Sequence, residues 1–239
     1  MPSRGFLASL PTLWGGGTTT VLSLRPNHTL GVANDVSDQG IAVGESAAVV
    51  FVGPIPRVVP EAVAWSGATP TRLSDVATGG GSLELRAARR INERGQILGQ
   101  ARDAATLATR GFVFENGVVT DIGALRSNGN TEAFDLSERG QVVGASDVLP
   151  GEQHAFLWEQ GRMTDLHDAA VILGRRSSAR AINEFGVIVG SADFIDDPLN
   201  FQTAAVWDHG QILNLGVLGG RSSDARVRVR IPSHSSGRI

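Results

Sequence analysis

Two aspartates and three arginines stand at the start of one recurring phrase of this chain, where they could together bind a polar or anionic ligand. The pairs Asn34-Asp35, Arg89-Arg90, Phe134-Asp135 and Arg180-Ala181 hold the same place in successive copies, with Arg226 in a degraded further copy. A guanidinium offers a planar fork of donors that suits carboxylates and phosphates. Asp35, Arg89, Arg90, Asp135 and Arg180 are therefore the candidate binding residues. A competing assignment, which carries more weight, pairs Arg with Asp across neighbouring repeats as links that hold the array together. Asp35 and Asp135 also occupy equivalent slots in the first and third copies, which raises an enzymatic alternative: a hydrolase or lyase acting on glycans. That chemistry needs two carboxylates across a suitable gap, one of them with a displaced pKa. No repeat-breaking Glu, His or Tyr joins the two aspartates, and the chain has no Tyr at all. The pattern favours a non-enzymatic module, and no residue is assigned a catalytic role.

Other constellations are missing. There is no cysteine, which excludes disulfides, thiol nucleophiles and thiolate metal sites. His28, His154, His167, His209 and His234 are scattered with no ligand spacing. The acidic stretch containing Asp193, Asp196 and Asp197 lacks the glycine and terminal glutamate of a calcium loop and reads as a solvated connection. No nucleophile elbow or phosphate loop occurs, and Gly15-Gly16-Gly17 and Gly79-Gly80-Gly81 read as turns. No cofactor or metal is expected. The net charge of −3 favours neither nucleic acid nor an acidic membrane surface. All 21 basic residues are Arg, attributed mainly to compositional bias because Ala and Gly are also high. No apolar stretch approaches the ~20 residues of a membrane span, and the first residues do not read as a signal peptide.

The elements that would position these residues come from two interleaved phrases. The first recurs four times, at 33–44, 88–99, 133–144 and 179–190; the second recurs five times, at 11–22, 62–73, 111–122, 155–166 and 204–215. In the first phrase, apolar runs flank a break such as Asn92-Glu93-Arg94-Gly95. The Asn or Ser side chain can accept backbone amides two residues on, and the glycine supplies a positive φ, so each copy predicts a β-hairpin. The closing Gly44, Gly99, Gly144 and Gly190 predict close backbone packing. In the second phrase a strand ends on Trp14, Trp65, Phe114, Trp158 or Trp207, and a turn carries Gly17, Gly67, Gly117, Gly161 or Gly210, one residue shorter at Gly67. The aromatic slot is expected to fill the wedge between adjacent sheets rather than stack a ligand. Residues 84–94 carry helix formers, but their sister copies make a strand the expectation.

Two hairpins per 45 to 55 residues is the size of a four-stranded propeller blade. The expected fold is all-β: a β-propeller of about five blades, closed or an incomplete arc, with a sandwich of hairpins as competitor. Blades are placed at 30–76, 86–125, 131–173 and 179–219. The hairpin at 10–24 supplies outer strands, and residues 225–239 would supply the inner pair. An open arc would leave a sheet edge through which copies associate.

His154-Ala155-Phe156-Leu157-Trp158, with Gly161 and Met163-Thr164-Asp165-Leu166, resembles the HAF repeat, as does the partner phrase Ala179-Arg180-Ala181-Ile182-Asn183 with Gly186 and Ile188-Val189-Gly190. The resemblance runs from about residue 10 to 226. It implies an extracellular bacterial repeat protein, secreted or at the cell surface, and no particular reaction. The histidine slot is Leu10, Glu61, Arg110 and Thr203 in the other copies. After Arg226 the expected phrase gives way to VRVRIPSHSSGRI, so an array interrupted by a frameshift, a truncation or a gene-model error is expected there. The functional expectation is an exported or surface binding or structural module for an unknown polar ligand or protein.

Overall fold

The computed structural model describes residues 10–15, 17–167, 172–194, 202–217 and 222–225. The chain is all-β and begins with a two-stranded hairpin, β1 (Thr12–Gly15) and β2 (Thr18–Val21). Unit 1 is the sheet β3 (Leu30–Val36), β4 (Ile41–Val52), β5 (Ile55–Ser66) and β6 (Thr69–Arg72), in that order, followed by the short α1 (Leu73–Val76). After β7 (Thr78–Gly79), unit 2 comprises β8 (Leu83–Ile91), β9 (Ile97–Asp103), β10 (Thr109–Glu115) and β11 (Val118–Asp121), with β7 added beside β11. Unit 3 is β12 (Thr131–Leu136), β13 (Val142–Leu149), β14 (Glu152–Glu159) and β15 (Arg162–Asp165). Unit 4 is β16 (Ile172–Ile182), β17 (Ile188–Phe194), β18 (Thr203–Asp208) and β19 (Gln211–Asn214). Within each unit consecutive strands pair antiparallel, and one parallel bridge, Gln153 to Arg176, joins units 3 and 4. The segment with helix-forming composition is strand β8, because its ladder with β9 outweighs local propensity.

The first-phrase hairpins form as their residues dictate. Asn92 Oδ1 accepts the amides of Arg94 at 3.2 Å and Gln96 at 3.0 Å, and Gly95 takes φ 76°. Asn183 does the same for Phe185 and Val187, and Ser137 for Arg139 and Gln141. A Cβ on Gly44 would lie 1.9 Å from the Val32 carbonyl oxygen, so no side chain fits where the first two strands cross. The second-phrase turn differs from expectation at Gly67. Ser66 pairs with Thr69 just as Glu115 pairs with Val118, so both loops hold two residues. The positive φ sits at the first central residue, Gly67, in one, and at both Asn116 and Gly117 in the other. The turn type changes while the length stays the same.

The apolar clusters lie between neighbouring sheets. Val43, Ala62 and Leu73 of unit 1 meet Leu85, Ile91, Ile97 and Phe112 of unit 2. Leu98, Val113 and Ile122 of unit 2 meet Leu136, Val142, Phe156 and Trp158 of unit 3. Val143 and Ala155 of unit 3 meet Ile182, Ile188 and Trp207 of unit 4. Leu22, next to the N-terminal hairpin, packs with Val63 and Trp65 of unit 1. Trp65, Trp158 and Trp207 are thus buried against the preceding element, as expected of the aromatic slot. Trp14 departs from that pattern and is 76% exposed.

One hairpin outgrows its sheet. Strands β4 and β5 are 12 residues each and run on past β3 and β6 to a tip with Val50, Phe51, Val52, Ile55 and Val58 exposed. Pro56 and Pro60, paired with Phe51 and Ala47, take amide donors off this strand, which blunts it as a template for further pairing. The expected strand at 227–231, the contribution of 226–239 to a further unit, Arg226, and the Asp196-Asp197 loop lie outside the described residues.

Candidate binding residues along the first strands

The first strand of every unit carries a β-bulge at the same slot: between Ala33 and Asp35, Ala88 and Arg90, Ala133 and Asp135, and Ala179 and Ala181. The extra residue turns successive side chains away from strict alternation and aims them at the next unit. Asp35 Oδ2 accepts the amide of Ile91 at 3.1 Å. Asp135 Oδ2 accepts the amide of Ile182 at 3.1 Å, and its Oδ1 meets Arg90 Nε at 3.3 Å. Arg180 stacks its guanidinium 4.5 Å over the Phe134 ring and reaches Asp224 at 3.8 Å. Asn34 donates to the carbonyl of Ala88 at 2.8 Å. Arg89 is exposed and lies near enough to Glu45 to stabilise its carboxylate.

Four of the five candidate residues, Asp35, Arg90, Asp135 and Arg180, therefore make contacts between consecutive units. The links run in sequence, from unit 1 to unit 2, from 2 to 3, from 3 to 4, and from 4 to Asp224. These contacts match the alternative in which Arg and Asp join neighbouring repeats. The turns form a second line of such links. Glu93 accepts the amide of Asp38 with both oxygens at 3.0 Å, and Glu138 accepts the amide of Glu93 at 3.0 Å. Asn92 Nδ2 donates to the Ser137 carbonyl at 3.0 Å.

The histidine slot of the second phrase also acquires a structural role. Glu61 lies 3.0 Å from Arg72, Arg110 lies 3.4 Å from Asp121, and His154 lies 2.8 Å from Asp165. These are the same two slots in three units, and the charge order reverses between units 1 and 2. Leu10 with Val21, and Thr203 with Asn214, fill the remaining copies with matched apolar and polar pairs. Whatever stands in one slot is complemented in the other, which marks a cross-strand pair and not a shared reactive histidine. The sign reversal was visible in the aligned copies and is the signal by which the pairing could have been found.

Around Glu61 the charges are dense. Arg25 and Arg72 both pair with it, His28 Nε2 approaches at 3.5 Å, and Asp75 pairs with both arginines. His28 Nδ1 lies 2.8 Å from Ser46 Oγ, which gives a Ser-His-Glu order that resembles a hydrolytic triad. The chemistry of a triad requires an accessible nucleophile. Ser46 is fully buried and accepts the amide of Arg25, as Ser146 accepts that of Leu125 in the equivalent place. The group ties the linker after β2 to unit 1.

The carboxylates with displaced pKa values are explained locally. Burial raises Glu45, and Arg89 partly offsets the rise. Burial alone would raise Asp147, but hydrogen bonds from Gln153 and Asn130, with Arg126 nearby, outweigh it and hold the group below its ordinary value. Asp103 is lowered by hydrogen bonds from Ser82 and from the amides of Ala105 and Thr106. Among the described residues no group of three or more His, Asp or Glu could hold a metal ion, and no helix is long and apolar enough to cross a membrane. Compared with known proteins, the sequence matches no family model and no curated protein.

Proposed function

We propose that the chain is a non-enzymatic repeat scaffold, its units arranged as the blades of a β-propeller or of an incomplete arc, acting as an exported or cell-surface binding or structural module. The HAF-like phrases are the basis for the location. The observation that carries the reading is the engagement of the chemically capable side chains in unit-to-unit links: Asp135 alone joins Arg90 on one side to the Ile182 amide on the other. A glycan hydrolase fits less well. Its two carboxylates must be free to handle a proton and a substrate, whereas Asp35 and Asp135 each accept a backbone amide of the next unit. Arg89 is the most open of the five candidates and the natural first contact for an anionic ligand, with Arg180 behind it.

The test compares Asp135→Asn and Arg89→Ala. Losing a hydrogen-bonded buried charge costs about 1.5–3 kcal/mol, so Asp135→Asn is expected to lower Tm by several degrees, while Arg89→Ala leaves Tm nearly unchanged. A panel of polysaccharides and chromogenic glycosides is expected to show no turnover. Turnover that disappears in the Asp35→Asn and Asp135→Asn variants, with folding intact, would establish the enzymatic alternative instead.

A further inference from the structure

Every unit presents an aromatic knob toward the element before it and an apolar socket toward the element after it. The knobs are Trp65, Phe114, Trp158 and Trp207; the sockets are Leu22, Leu73, Ile122 and Leu166. Leu22 and Leu73 are 1% exposed and Ile122 is 3% exposed, each covered by the unit that follows. The knob is also held by a hydrogen bond: Trp207 Nε1 donates to the Leu166 carbonyl at 3.0 Å, and Trp65 Nε1 to the Ser23 carbonyl at 2.8 Å. At the first and last described units one side of this interface is exposed. Trp14, at the knob position, meets no socket among the described residues and is 76% exposed, on a hairpin face that also exposes Leu10 and Val21. Leu215, at the socket position after unit 4, meets no knob among the described residues and is 52% exposed beside the exposed Leu213. The slots that hold ion pairs in units 1 and 2, and His154 with Asp165 in unit 3, hold Leu10 and Val21 on this hairpin, so its exposed face is apolar.

We propose that Trp14 of one copy docks on the Leu215 socket of a second copy, head to tail, with its indole N–H donating to the carbonyl at Leu215 as Trp207 does at Leu166. Among the described residues both half-interfaces are exposed, and a second copy supplies the complement of each. The start of the acceptor is also prepared. Ser223 Oγ accepts the amide of Ala204 at 2.8 Å, as Ser177 Oγ accepts that of Ala155 at 2.9 Å, so the chain after unit 4 lies where a following unit begins. The contact is heterologous, so it produces either a closed ring of copies or an open chain of them. The inference rests on the stacking of units and not on ligand binding or on the absence of catalysis, so each can fail without the other.

Sedimentation of the full chain and of two variants, Trp14→Ala and Leu215→Glu, tests it. The wild type is expected to associate with rising concentration, and each variant alone to remain a monomer, with circular dichroism and Tm unchanged because both positions are exposed. Mixed together, the variants retain one intact knob and one intact socket and are expected to form a dimer of one copy of each. Because the chain lacks cysteine, Thr19→Cys and Leu213→Cys copies can be mixed and treated with a bifunctional maleimide, and a cross-link between copies is expected. A wild type that stays monomeric at all concentrations overturns the proposal. So does a doubly substituted chain that cross-links only within itself, which would instead mean that the same chain closes its own ring.

Discussion

At the level of single residues, the turn chemistry was legible and the pairing chemistry was not. Asn92 and Gly95 act on amides two to four residues away, so their roles follow from local spacing alone. Arg90 and Asp135 are 45 residues apart, and identity at a slot does not reveal which neighbour it touches. Glu45 was missed entirely, because its peculiarity is burial and not sequence context. Its slot in unit 2 is Gln100, whose amide donates to the carbonyls of Arg110 and Thr131 at 2.9 Å and so joins units 2 and 3. Burial raises the folded pKa of Glu45 above its unfolded value. The folded state therefore favours the protonated form, and this contribution is lost as pH rises through the raised value. Glu45→Gln is expected to be more stable than the wild type at neutral pH, with the difference fading toward about pH 4, where the unfolded carboxyl also protonates. Denaturant midpoints of both proteins across that range measure it; a constant difference would show that Glu45 acts by shape and not by charge.

At the level of elements, the strands and hairpins followed from the phrases, but the turn at Gly67 and the overgrown β4–β5 hairpin did not. The first needed the register of Ser66 with Thr69. The second carries an apolar run on both faces, so the alternation that marks where a strand leaves its sheet is lost. The cross-strand pair offers an element-scale prediction. Glu61 and Arg72 stand in unit 1 where Arg110 and Asp121 stand in unit 2. Glu61→Arg should place like charges diagonally across β5 and β6, beside Arg25, and destabilise. Adding Arg72→Glu should recover part of the loss. A coupling of about 0.5–1 kcal/mol between the two substitutions is expected for partly exposed partners. Zero coupling in a double-mutant cycle would mean the slots are filled independently. Arg25 and His28 also rely on Glu61, so recovery will be incomplete.

For the whole molecule, the all-β class was legible because the two phrases carry recurring turn glycines. How the ends are finished was not, since the covering of Trp14 and Leu215 depends on what lies beyond them. Stacked units share cores only with their neighbours, so stability should be graded along the array. Amide exchange is expected to be slowest in β9 and β13, whose Leu98 and Val142 sit in the core between units 2 and 3, and fastest in β1, β2 and β19. Uniform protection across all of them would point to a single cooperative block. The links at Asp35, Asp135, Glu93 and Glu138 add one more property. Each carboxylate grips a main-chain amide of its neighbour, a group that every residue but proline supplies. The ion pairs Glu61–Arg72 and Arg110–Asp121, by contrast, close within a unit. A gene encoding such an array can duplicate or delete a whole segment, and these carboxylate–amide links between the new neighbours need no compensating change. Length is the variable that this construction leaves free to evolve.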